Sequence, residues 1–330
     1  MSEKLIVIVG ITGNQGASVA DVFLKTPGWK IRGISRDPTK GSSKEWSDKG
    51  VEMVAADLND AESLKKAFAG ANVAFGVTDF WQSVKVPANH AKAAQEGRTI
   101  NEVAYDIEVQ QGKNIVDAAA ATVKTLDRFV LSTLSSTKEW SKGTITFNLH
   151  FDAKWEAVKY LRATYPELEK KTSFLQVGYF ATNWRGGGMM APRKQPDGTY
   201  ILRICMNGDV KFPMTDPRAD VGSFTKALVD VPAGKNLIGS GSKLSWKEWA
   251  ALWGEHNGKT ITYEEAPRSE LEELIPGPVG KELADMIEYI DKFGYDGNDP
   301  DVVYPENLGI EVPRTTMAEY IKKTDWTPCL

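Results

Sequence analysis

Leu5-Ile-Val-Ile-Val-Gly-Ile-Thr-Gly-Asn-Gln-Gly16, running on into Ala17-Ser-Val-Ala-Asp-Val-Phe-Leu24, decides the fold. Five consecutive apolar residues, bounded at once by glycine, read as a strand buried on both faces, the pattern of a parallel sheet. Gly10, Gly13 and Gly16 follow at three-residue spacing, and Val19, Val22 and Phe23 then recur at helical intervals. Strand, glycine-rich turn and helix are the parts of a dinucleotide-binding βα unit. Gly10 permits the tight turn, Gly13 the approach of a pyrophosphate, and Gly16 the packing of helix on strand. The intervening Thr12, Asn14 and Gln15 lie beside the phosphates, at a helix N-terminus whose first N–H groups have no intrahelical acceptor.

Working outward, Trp29–Ser35 reads as the second strand, and its end carries Arg36-Asp-Pro-Thr-Lys40. In an NAD-specific site an acidic residue stands there to accept from the ribose 2′-hydroxyl. Arg36, with Lys40 close behind, suits a 2′-phosphate instead, which favours NADP(H). Val51–Ala56 is the third strand. Asp57-Leu58 after it is either an adenine-side pair or a plain turn, and Gly70 closes the next helix. Ala71–Thr78 is the fourth strand, so Thr78 and the following Asp79-Phe-Trp81 lie on the carboxyl edge of the sheet, where doubly wound folds bind ligands. A long helix runs from about Asn101 to Val123, with Gly112 expected at a close approach to the sheet. Arg128–Ser132 is the fifth strand, and Ser132 or Ser135 beyond it is a candidate to hold a substrate oxygen. Thr172–Val177 is the sixth. Residues 201–214 read as a hairpin turning at Asn207-Gly208, and Ser245-Trp-Lys-Glu248 as a capping box opening a helix with a buried tryptophan stripe.

The expectation is an α/β fold, a doubly wound parallel Rossmann sheet with a smaller, mostly helical C-terminal domain. Residues 1–178 are expected to form the nucleotide-binding domain, completed by a return strand and helix within 232–258. Residues 179–231 and 259–330 are expected to form the smaller domain. Among the 330 residues, 42% are hydrophobic and 25% charged, ordinary values for a globular chain. A net charge of −4 gives no reason to bind nucleic acid or an anionic membrane. Two cysteines and three scattered histidines exclude a disulfide framework and make a metal site unexpected. With no signal peptide or spanning segment to read, the chain is expected in the cytoplasm, or in the nucleus as well.

The helix opening near Phe147 bears the central departure. Short-chain dehydrogenases place Tyr-x-x-x-Lys here, two side chains on one helical face. Lys154 fits the lysine, but four residues before it stands His150. His150 is then a candidate proton donor, with Tyr179 or a cleft-bound water as substitutes, and Lys154 is expected to disfavour the charged form of the imidazole.

Taken together, Gly10–Ser18, Ser35–Lys40, Asp57-Leu58, Val77–Trp81, His150-Phe-Asp-Ala-Lys154, Tyr179-Phe-Ala-Thr-Asn183 and Asp220-Val-Gly222 resemble the NmrA-like family of atypical short-chain dehydrogenase/reductases. The resemblance implies dinucleotide in a cleft between two domains, Lys154 at the nicotinamide ribose, and Tyr179 and Phe180 flanking the nicotinamide. It leaves two functions open. One is an NADPH-dependent reductase of a small carbonyl or conjugated substrate bound in the cleft. The other is a non-catalytic NADP(H) redox sensor acting through a protein partner.

Overall fold

In the computed structural model, which describes residues 3–330, the apolar runs of the N-terminal half become parallel strands. They are β1 (Lys4–Ile8), β2 (Trp29–Ser35), β3 (Glu52–Ala55), β4 (Val73–Gly76), β5 (Arg128–Thr133) and β6 (Thr172–Val177). Two later segments, β7 (Asn236–Gly239) and β8 (Val302–Val303), extend the same sheet, which has the order β8-β7-β6-β5-β4-β1-β2-β3 with every pair parallel. The order reverses direction between β1 and β4. Crossovers on either side of that point run to opposite faces, which opens a crevice at the carboxyl ends of these two strands. Ile6, Val7 and Ile8 are wholly buried there, because both faces of the sheet are covered.

One face carries helices Asn14–Leu24 and Pro217–Asp230. Their close approach depends on Gly222, whose N–H donates to Ser18 Oγ at 2.8 Å. A Cβ at Gly222 would fall 2.2 Å from the Ser18 carbonyl oxygen, so any side chain there would force the helices apart. Phe23 and Phe224 fill the layer beneath, each contributing about 1.5–3 kcal/mol by burial. The other face carries Ala61–Phe68, Ile100–Ala121 and Leu149–Thr164. Gly112 marks a close approach on this face, but to a neighbouring helix and not to the sheet. A Cβ there would meet the Ala157 Cβ at 2.7 Å.

The rest of the chain packs around two three-stranded sheets. Phe212–Thr215 pairs with Ser242–Leu244 and Tyr179–Phe180. Tyr200–Ile204 pairs with Ile261–Glu265 and Arg193–Lys194. The expected hairpin over 201–214 is therefore absent: its two arms belong to different sheets. A two-residue type I′ turn needs positive φ at both central residues, and neither Asn207 nor Gly208 has it. The Asn207 side chain instead accepts from Asp209 N at 3.0 Å, and Gly208 is plain because the Tyr263 ring lies against it.

Trp246, Trp249, Trp253, Trp184 and Trp326 form the centre of this second core, beneath helix Trp246–Asn257 with its Ser245 capping box. Several elements thus fall on the far side of the expected division: β8 joins the large sheet, and Ser242–Leu244 a small one. Helix Pro217–Asp230 lies on the large sheet, and helix Trp246–Asn257 on the second core. No helix among the described residues is long and apolar enough to cross a membrane.

Candidate functional site

The crevice at the β1/β4 reversal widens into a cleft of about 710 Å³. At its floor lies the glycine turn. Gly10 has φ +66°, a conformation that only glycine adopts freely, and a Cβ on Gly16 would stand 2.3 Å from the Gly10 carbonyl oxygen. These two glycines let the helix begin immediately above the strand. Helix Asn14–Leu24 starts without a side-chain cap, and the N–H groups of Asn14, Gln15 and Gly16 have no acceptor among the described residues. Gly13, Thr12 and Asn14 are exposed along this edge. Three open donors at a helix N-terminus form an anion cradle.

One end of the cleft is basic. Arg36 and Lys40 line it, both exposed and neither paired with a carboxylate among the described residues. Asp37, which also lines the cleft, stands between them in the sequence. Its carboxylate is occupied by Thr39, accepting from Thr39 Oγ1 at 2.6 Å and Thr39 N at 2.9 Å. Those hydrogen bonds hold it below the usual carboxyl range. Asp57 and Leu58 form the facing wall, with Asp57 Oδ1 accepting from Asn59 in its own turn at 2.8 Å.

At the other end are the residues of the helix Leu149–Thr164. His150 and Lys154 share a face and both line the cleft, but each is held by a carboxylate that the sequence reading did not pair with it. Lys154 Nζ donates to Glu108, to the Thr78 carbonyl at 3.0 Å and to Thr78 Oγ1 at 3.1 Å. Thr78 Oγ1 in turn donates to Glu108 at 2.7 Å. His150 Nδ1 lies 2.8 Å from Glu282 Oε1, which also accepts from the His150 backbone N–H at 2.7 Å. Asn101 Nδ2 donates to the second oxygen of Glu282. The electrostatic neighbour of the imidazole is thus a buried carboxylate. The expectation that Lys154 governs its charge gives way, since the ammonium is turned toward Glu108.

Glu282 has a second task. Helix Leu149–Thr164 begins at Asn148 with no side-chain cap, and the Glu282 carboxylate supplies the missing acceptor from across the core. A signal for both carboxylates existed in the sequence. Glu282 shares an apolar stripe with Met286, Tyr289 and Ile290, and Glu108 with Ala104, Ile115 and Ala119. An acid on an apolar helical face is buried only when a partner meets it.

Ser132 lines the cleft, but its hydroxyl donates to Gln15 Oε1 at 2.8 Å, tying the fifth strand to the glycine turn. Ser135 lies outside the cleft, wholly buried, with its hydroxyl against Tyr289 Oη at 2.8 Å and the Tyr295 carbonyl at 3.1 Å. It is not available to a substrate. Tyr179, Phe180 and Trp81 also line the cleft, with the Trp81 ring 5.1 Å from the imidazole. Burial pushes the Tyr179 phenol well above its ordinary range, so it stays protonated. Its hydroxyl contacts Met190 Sδ at 3.0 Å. Among the described residues no group of acids, histidines and cysteines is arranged to hold a metal. Cys205 is half-buried and its thiol is pushed up to about 11, which leaves it inert.

One acid beside the site carries a cost. Burial raises the Asp152 carboxyl from 3.8 to about 6, despite a hydrogen bond accepted from Lys138 N at 3.1 Å. The folded protein therefore holds a proton that the unfolded chain has lost, and this group's contribution to stability falls as pH rises from about 4 to 6. The difference corresponds to about 3 kcal/mol at neutral pH. Asp152→Asn keeps the acceptor and removes the charge. It should match wild type in urea unfolding near pH 4 and exceed it by about 1–3 kcal/mol at pH 7.5. An equal difference at both pH values would show that the carboxylate is not desolvated.

A family model described as NmrA-like family matches residues 2–327. The NmrA-like family domain-containing oxidoreductase ptmS of Penicillium ochrochloron is 32% identical over 250 residues, covering 72% of this chain and 67% of that one. The crystal structure of NmrA, a negative transcriptional regulator, in complex with NADP superposes with a TM-score of 0.71 at 19% identity, covering 98% of this chain and 96% of that one. The triphenylmethane reductase of Citrobacter sp. complexed with NADP(H) gives a TM-score of 0.65 at 16% identity, covering 97% and 99%. At these identities the likeness to the solved structures concerns the fold.

Proposed function

Because the chain belongs to the NmrA-like family, we propose that its cleft binds NADP(H) and that the protein is an NADPH-dependent reductase of a small carbonyl or conjugated substrate. The observation that carries this reading is the continuity of one cleft, from an open anion cradle and two cations unpaired among the described residues to an imidazole and a lysine at its other end. The relatives named as oxidoreductases, and the NADP bound by NmrA and by the triphenylmethane reductase, support it.

In this reading the N–H groups of Asn14, Gln15 and Gly16 bind the pyrophosphate, with Gly10, Thr12 and Gly13 shaping the turn. Arg36 and Lys40 bind the 2′-phosphate, and Asp57 and Leu58 border the adenine. Lys154 and Thr78 face the nicotinamide ribose, held there by Glu108. Ser132 supports the cradle through Gln15. Tyr179, Phe180 and Trp81 exclude water and suit a flat apolar substrate. Bound in reduced form, the cofactor supplies the hydride. His150 supplies the proton, since its Nε2 has no partner among the described residues.

Calorimetric titration with NADPH and NADP⁺ tests the binding half, and NADPH oxidation in the presence of phenanthrenequinone or cyclohexenone tests the chemistry. Binding of NADPH with turnover of either probe is expected. Binding of neither nucleotide overturns the proposal. Firm binding without turnover of either probe removes the reductase half and leaves a nucleotide-binding regulator.

A further inference from the structure

Buried carboxylates without a cation beside them are costly, and Glu282 is wholly buried with, among the described residues, only His150 and Asn101 for partners. An ionised carboxylate only accepts hydrogen bonds. Both oxygens of Glu282 accept from N–H donors, Oε1 from the His150 backbone and Oε2 from Asn101 Nδ2, which suits this acceptor-only form; Oε1 also lies 2.8 Å from His150 Nδ1, which puts the hydrogen of that contact on the ring. Nδ1 is then the protonated nitrogen of the neutral ring, and Nε2, without a partner among the described residues, is the one that exchanges protons in the cleft. Asn101 fixes the rotation of the carboxylate from behind. The three residues come from three separate helices, and none of these contacts is needed to close the sheet.

We propose that Glu282 is the positioning residue of a His150–Glu282 dyad that takes the place of the missing tyrosine as proton source. This rests on the reductase reading above and names the residue that makes His150 competent. The substrate carbonyl receives hydride at carbon, and its π electron pair moves to oxygen. The Nε2–H bond of the imidazolium breaks with its electron pair left on the ring, and the O–H bond of the product forms. The ring returns to its neutral form with Nδ1–H still donating to Glu282, and solvent restores the proton at Nε2.

Two measurements test the dyad separately from the reductase reading. The first is a ¹⁵N-correlated spectrum of the histidine ring nitrogens in the cofactor-free protein at pH 9, where only three histidines contribute. His150 is expected in the Nδ1–H form, although free neutral histidine prefers Nε2–H. An Nε2–H signal would overturn the proposal whatever the activity. The second is Glu282→Gln, which the site accommodates. With the Asn101 amide turned over, its Oδ1, buried and without a partner among the described residues, replaces Nδ2 opposite residue 282 and accepts from the new amide N–H.

With NADPH and phenanthrenequinone, this variant is expected to lose at least about tenfold in kcat while KM and NADPH affinity stay within about twofold, the pattern of an interaction made in the transition state. Unchanged kcat would overturn the positioning role. An Nδ1–H signal in a wild-type protein that turns over neither probe would support the dyad's geometry and count against the reductase reading alone.

Discussion

Arg36→Asp should weaken NADPH binding at least about 100-fold, a loss of about 2.7 kcal/mol, while NADH binding stays within about threefold. Arg36 follows directly on β2, exposed at the rim of the cleft. Its guanidinium matches a phosphate dianion in shape and charge, and hydrogen bonds to charged groups contribute about 1.5–3 kcal/mol each. The substitution removes that attraction and sets a carboxylate against the phosphate. NADH has no 2′-phosphate and gains an acceptor for its 2′-hydroxyl in the same place. Lys40 remains, which limits the loss. Asp37 does not compensate, because Thr39 already occupies its carboxylate. Calorimetry with both nucleotides at one fixed ionic strength decides the matter, since salt screens the term being measured. Equal losses for the two would remove Arg36 from 2′-phosphate recognition.

The second large effect is on stability. Glu282→Leu should cost about 3–5 kcal/mol in urea unfolding at pH 7. Leucine fills a similar volume, so packing is not the main loss. The carboxylate accepts from three donors: His150 N, His150 Nδ1 and Asn101 Nδ2. Each donor left buried and unpaired costs about 1–3 kcal/mol. One of them belongs to the first turn of helix Leu149–Thr164, which has no side-chain cap of its own.

The double substitution His150→Phe/Glu282→Leu should lose less than the sum of the two single losses, by at least about 1 kcal/mol, because phenylalanine brings no ring donor to be orphaned. The aromatic surroundings accept it: Phe80 and Trp81 lie 5.9 and 5.1 Å from the imidazole. Strict additivity would mean that the two residues are not energetically coupled. A loss below about 1 kcal/mol for Glu282→Leu would mean that water reaches the donors when the carboxylate is gone.

The features legible beforehand share one physical basis, which is interaction over a few residues. The run Leu5–Val9 had to be a buried strand, and Gly10 had to take a left-handed turn above it. Ser245 caps the helix that follows it through its own side chain. Asn207-Gly208 shows the limit of this basis. A turn signal reports the chemistry of two residues, but the partner of each flanking strand is chosen by the sheets that form around it. Tyr200–Ile204 found a better partner in Ile261–Glu265, about sixty residues further on.

The sequence by itself determined a parallel doubly wound sheet, a glycine turn at its switch point, a basic rim at Arg36 and Lys40, and the place of His150 and Lys154 on one helical face. Tertiary structure alone decided which charges those two residues meet. Glu108 reaches Lys154 from 46 residues away, Glu282 reaches His150 from 132, and Asn101 reaches Glu282 from 181. No periodicity encodes such pairings. They arise because closing the core brings buried polar groups together, and in a medium of low dielectric each must end beside a partner.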